Sequence, residues 1–183
     1  MPIKNHIPHN ALLPLLLIPV FLLSGCTDDN KPKVKVVSYE ELNNRTQIQK
    51  EFLGIKWGAS KDEVIRKMKE RGFNNYEDLK QMNIVRFDKG IYINHPVNNW
   101  MFYFNSNRFY CVSISFFTLY DTVYYDKVID DILNAFGRPT SHKESPEEFE
   151  NKYDLNPIVI NFSKTVSSGM FMTITNNEIM KLE

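Results

Sequence analysis

The apolar residues first form one unbroken run and then fall into alternation. Ala11 to Leu23 is almost wholly apolar. After a polar stretch, Phe52 to Trp57 alternates, with Leu53, Ile55 and Trp57 on one side, which predicts a short strand. Val34 to Val37 reads as another. Ser38-Tyr39-Glu40-Glu41 has capping-box spacing, with Leu42 and Ile48 as the apolar positions of the helix it would open. Gly58 and Ala59 turn the chain, and Ser60-Lys61-Asp62-Glu63 opens a clearer helix. Ser60 can cap the amide of Glu63 there, because the first amides of a helix lack partners. Val64, Ile65 and Met68 make its apolar stripe. Gly72 supplies a left-handed stop, and Phe73 can pack back on Met68.

A β meander follows. Ile84 to Asp88 and Ile91 to Asn94 flank Lys89-Gly90, a turn signal. Trp100 to Phe104 and Phe109 to Thr118 flank Asn105-Ser106-Asn107. Period two puts Trp100, Phe102, Phe104, Val112, Ile114 and Phe116 on the buried face. A second helix, capped by Asp121 or Thr122, carries Tyr125, Val128, Ile129, Ile132, Leu133 and Phe136 at helical spacing and stops at Gly137-Arg138-Pro139. His142 to Asp154 is charged and reads as a loop or frayed turn. Ile158 to Phe162 and Met170 to Thr175 form a last hairpin. The expected fold is therefore α+β: an antiparallel sheet of about six strands with two main helices on one face, in a single domain over residues 52–183. Each half is a capped helix followed by hairpin strands, without a residue-by-residue register between them.

The first apolar run is 13 residues long, the length of a signal-peptide core and too short to span a bilayer. Lys4 precedes it, Pro14 and Pro19 interrupt it, and it ends in Leu23-Ser24-Gly25-Cys26. These four residues resemble the bacterial lipobox. The resemblance implies diacylglycerol on the Cys26 thiol, cleavage of residues 1–25 and acylation of the new amino group. Residues 26–51 then hold the lipidated cysteine, the polar tether Thr27 to Lys33 and a poorly determined segment. The expected setting is the bacterial cell envelope, with the membrane as partner through acyl chains. Thr27 stands where an aspartate holds well-studied lipoproteins in the inner membrane, so the resemblance favours the outer membrane, at its periplasmic face or at the cell surface.

Twenty-two lysines and arginines balance 22 aspartates and glutamates, which gives no electrostatic reason to expect nucleic acid as a partner. The 158 residues from Cys26 onward contain one further cysteine, Cys111, so they cannot form an internal disulfide. Cys111 alternates with strand residues and reads as a small packed side chain. His95 precedes Pro96 in a turn and His142 sits in the polar loop, and no zinc-ligand spacing occurs. Asp126 and Asp130 share one helix face, and Glu144, Glu147, Glu148 and Glu150 make an acidic loop; solvated surface explains both. Ser113 and Ser115 lack an evident base. No cofactor, metal or catalytic constellation is expected.

The bias that stands out is aromatic, with 13 Phe, 9 Tyr and 2 Trp. If the apolar set faces the helices, Met101, Tyr103, Cys111, Ser113, Ser115, Val159, Asn161, Phe171 and Thr173 face the other way. Aromatic enrichment with few charges marks many contact surfaces. The tether, the segment before Phe52 or the charged loop could instead cover this face. Trp57-Gly58-Ala59-Ser60-Lys61-Asp62-Glu63-Val64 is similar to the Gly-x-Ser-x-x-x-Val helix start of small envelope lipoproteins. That group includes the outer-membrane-assembly accessory lipoprotein and domains like the β-lactamase inhibitor protein. Phe136-Gly137-Arg138-Pro139 is similar to the group's Gly-x-Pro helix exit, although start and exit here sit on different helices. The resemblance implies a non-catalytic protein that binds an envelope protein across its sheet. An inhibitor or immunity protein acting on one enzyme, and an envelope hydrolase, are the alternatives.

Overall fold

A computed structural model describes residues 45–117, 122–165 and 169–181. The leader, Cys26, the tether, the strand expected at Val34–Val37 and the cap expected at Ser38 lie outside the described residues. The chain runs through α1 (Arg45–Lys50), β1 (Glu51–Phe52), β2 (Ile55–Lys56), α2 (Lys61–Glu70), β3 (Tyr76–Leu79), β4 (Ile84–Tyr92), β5 (His95–Asn105) and β6 (Arg108–Phe116). It continues through α3 (Thr122–Phe136), β7 (Ser141–Glu144), β8 (Glu148–Leu155), β9 (Ile158–Thr165), β10 (Gly169–Asn176) and α4 (Asn177–Met180).

The α+β class holds. One antiparallel sheet has the strand order β3-β4-β5-β6-β10-β9-β8-β7, so it has eight strands where the pattern predicts about six. The additional strands come from charged sequence. Tyr76–Leu79 is an edge strand with one aliphatic residue. His142 to Asp154, expected as a loop, supplies most of β7 and β8. In β8 the inward positions are Phe149, Asn151 and Tyr153, and the polar Asn151 in the middle hides the alternation. Edge strands bury little, so their side chains stay polar and the apolar signal fades.

Two turns also differ from expectation. Lys89-Gly90 does not reverse the chain. β4 runs through it in unbroken register with β5, Asp88 facing Asn99 and Gly90 facing Val97. Gly90 is needed there because a Cβ would stand 2.8 Å from Trp100 Nε1 and 2.9 Å from the Phe73 ring. The reversal falls at Ile93-Asn94, both at positive φ. Phe52 to Trp57 is likewise a tight hairpin instead of one strand, turning at Leu53 (φ 52°) and Gly54 (φ 67°). Two successive left-handed residues match the twist of a two-residue hairpin.

The core lies on the helix side of the sheet. Ser60 Oγ accepts from the Glu63 amide at 3.3 Å, as its position before the apolar stripe predicts. Val64 and Met68 from α2, and Val128, Ile132 and Phe136 from α3, meet the inward row Trp100, Phe102, Val112, Ile114, Phe162 and Met172 in one cluster. The β1–β2 hairpin lays Phe52 over Tyr92, Trp100 and Phe102, with ring centroids 6.0–6.3 Å apart. Trp57 stacks on Phe109 at 4.7 Å and donates to the Ile48 carbonyl, which holds α1 on the same side.

Tertiary structure also supplies the register that the sequence alone does not show between the halves. Each half is a helix followed by a four-stranded meander, and the meanders join through their last strands, β6 and β10. Met101 faces Ser113 as Asn161 faces Thr173, so positions 60 apart correspond in the central strands. Val112-Ser113-Ile114-Ser115 thereby matches Met172-Thr173-Ile174-Thr175. In the helices Val64, Ile65 and Met68 match Val128, Ile129 and Ile132, with the same burial at each place.

Candidate binding face

Strand pairing lines up the outward residues in rows. One row crosses the whole sheet as Glu77, Arg86, Met101, Ser113, Thr173, Asn161, Lys152 and Ser141. A flanking row carries Asn99, Ser115, Phe171 and Ser163, and the other carries Tyr103, Cys111, Thr175 and Val159. Neighbours within a row are separated by the strand spacing of about 4.8 Å. The expected set Met101, Tyr103, Ser113, Ser115, Val159, Asn161, Phe171 and Thr173 is therefore brought onto one continuous face, each residue partly exposed.

A bulge adds a residue that period two assigns wrongly. The register shifts between Tyr103 and Phe104, so Tyr110 is extra in β6, and its ring stands 6.5 Å from that of Tyr103. An extra residue breaks the alternation on which the sequence reading rests. Of the segments that could cover the face, His142 to Asp154 extends the sheet itself, and the described part of the segment before Phe52, α1, lies on the core side with Ile48 buried.

Charge is confined to the flanks. In these three rows the outward positions of β5, β6, β10 and β9 include no Asp, Glu, Lys or Arg, whereas Arg86 pairs with Glu77 and Asp88 at one margin. The ionisable groups within the band stay neutral. Burial, and then Cys111 and Tyr110 beside it, raise the Tyr103 phenol above its ordinary value, and burial followed by Cys111 does the same to Tyr110. Burial pushes the Cys111 thiol up to about 11, against a small opposing effect of the Thr175 hydroxyl, which donates to Sγ at 3.3 Å. A raised thiol value favours the neutral form in the folded chain. Its contribution to stability is full below the ordinary value near 9 and is lost as pH rises through about 11. In a Cys26→Ser chain at pH 8, Cys111 is expected to react with a disulfide reagent roughly a hundredfold more slowly than a model thiol, because a two-unit shift removes that much thiolate. Stopped-flow absorbance against pH checks this, and an ordinary rate at pH 8 would contradict it.

The two histidines depart from expectation. His95 opens β5 and is only 3% exposed, with Nε2 2.8 Å from Asp131 Oδ2 and its ring edge-on to Tyr124. It fastens α3 to the sheet. His142 lies on β7, its Nδ1 2.7 Å from Oδ1 of the buried Asn151 and its Nε2 3.3 Å from Glu144. Asp126 and Asp130, read as a solvated face, border one groove together with Glu144, Glu147 and Glu148. Among the described residues no group of three or more His, Cys, Asp or Glu is placed to hold a metal ion. Ser113 faces Thr173 and Ser115 faces Phe171 across β10, so neither serine has a base opposite it on that strand.

Comparison of the chain with protein-family models, with curated proteins and with solved structures gave no match.

Proposed function

We propose that the protein is a lipoprotein of the bacterial cell envelope, anchored through acyl chains on Cys26, and a non-catalytic module that binds another envelope protein on its outer sheet face. The observation that carries the binding role is the uncharged band over the four central strands, with Tyr103, Tyr110, Met101 and Phe171 around the small hydroxyl residues Ser113 and Thr173. Aromatic anchors beside small polar groups bury apolar area at little desolvation cost, and charged margins form a wet rim. The anchor rests on the lipobox resemblance, and the outer membrane is the favoured site.

Tyr103→Glu with Phe171→Glu tests the reading. Both side chains are partly exposed, so the fold is expected to persist by circular dichroism and thermal melting. Cross-linking in native membranes followed by mass spectrometry is expected to recover a partner with the unaltered chain and to lose it with the double variant. A partner held equally by both chains would reject the face.

A further inference from the structure

The sheet has a second recess, on its helix side. α3 packs Phe136 on Tyr153 of β8, and earlier along the helix a groove of about 330 Å³ lies between it and the β7–β8 hairpin. Ile129, Phe149 and Pro146 supply its apolar surface. Phe149 also lines an adjoining depression with Leu133, so the apolar floor continues along α3 toward its end. Half-buried Ile129 and Leu133 are four residues apart and share this flank of the helix.

The groove is strongly one-signed. Asp126, Asp130, Glu144, Glu147 and Glu148 border it against one cation, Lys164. Lys164 Nζ is already engaged over the Tyr125 ring at 4.4 Å, and Lys143 closes on Glu148 at 2.5 Å. Asp126, Asp130 and Glu147 have no cationic partner among the described residues. The first half keeps an acid, Asp62, where α3 has Asp126, and differs at the next place. Arg66 stands where α3 has Asp130, and it pairs with Glu70, while Lys61 reaches Asp78 at 2.9 Å. In the second half the carboxylates instead gather beside the apolar surface of Ile129 and Phe149. Like charges gathered without counter-charge raise the free energy of the unoccupied groove and favour an occupant of opposite sign.

We propose that this groove docks a basic, partly apolar peptide segment of a partner protein, separately from the outer sheet face. An apolar side chain of the segment rests on Phe149 and Ile129, and its lysines or arginines meet Asp126, Asp130 and Glu147. The apolar floor distinguishes such an occupant from a simple cation.

The test uses the full chain in non-ionic detergent and three short blocked peptides that alternate lysine with leucine, lysine with serine, and glutamate with leucine. Binding is read by calorimetry and by NMR signals of the Ile129 methyl and the Phe149 ring. The lysine–leucine peptide is expected to shift both signals while leaving the Met101 methyl of the outer face unmoved. It is expected to bind about tenfold or more weakly to Asp126→Asn with Asp130→Asn, whose exposed sites keep the fold intact. The lysine–serine peptide is expected to bind several-fold more weakly, and the glutamate–leucine peptide not at all. Equal binding to the double variant, equal binding of the serine peptide, or the same shifts from calcium chloride alone at sub-millimolar concentration would each overturn the proposal.

Discussion

Trp100→Ala is expected to destabilise the domain by about 3–5 kcal/mol, a large share of the total stability of a domain this size. The indole is fully buried at the middle of the inward row. It meets Phe52, Phe73 and Tyr92 at ring-centroid distances of 5.6–6.3 Å, and so joins the β1–β2 hairpin, the end of α2 and the sheet. Its Nε1 donates to the Lys89 carbonyl at 3.2 Å. Truncation removes the apolar contacts, leaves a cavity that rigid strands cannot close, and deprives the Lys89 carbonyl of its donor. Chemical unfolding followed by circular dichroism checks the value, which is expected as a lower midpoint with an unchanged slope. A loss below about 1 kcal/mol would mean that the hairpin and Phe73 do not pack on Trp100 as described.

Cys26→Ser is expected to move the protein from the membrane fraction almost wholly into the aqueous phase. Each buried methylene contributes about 0.8 kcal/mol, so several acyl chains amount to many orders of magnitude in partition, whereas a single chain anchors only marginally. No helix among the described residues is long and apolar enough to cross a membrane, so none of them offers a helical substitute for the lipid. The variant is also expected to keep its leader, which detergent phase separation and intact mass would both register. Equal membrane retention of both chains would remove the anchor, and with it the envelope setting of the proposed binding role.

Much of the fold was legible because burial imposes a period. Ser60, Val64, Met68 and Gly72 announce α2, and Trp100-x-Phe102-x-Phe104 announces β5, since each buried face repeats at the spacing of its own element. The outward face was legible as the complement of the inward one. Tyr110 was not, because the bulge shifts it by one position. β3, β7 and β8 were not, because strands at a sheet margin can stay charged. The groove was not, because Asp126 on a helix and Glu147 in a hairpin are apart in sequence and meet only where α3 faces the β7–β8 hairpin.

By itself the sequence determined the α+β class, the two principal helices, the inward rows and the resemblance of Leu23 to Cys26 to a lipidation signal. All of these depend on neighbours within a few residues. Tertiary structure alone decided the eight-strand order, the pairing of β6 with β10 and the reading of Lys89-Gly90 as strand, since Trp100 and Phe73 leave no room for a Cβ at Gly90. It also supplied the residue-by-residue register between the two halves. The physical reason is that local periodicity records which side of an element is buried, while partners and register depend on contacts between residues far apart in the chain.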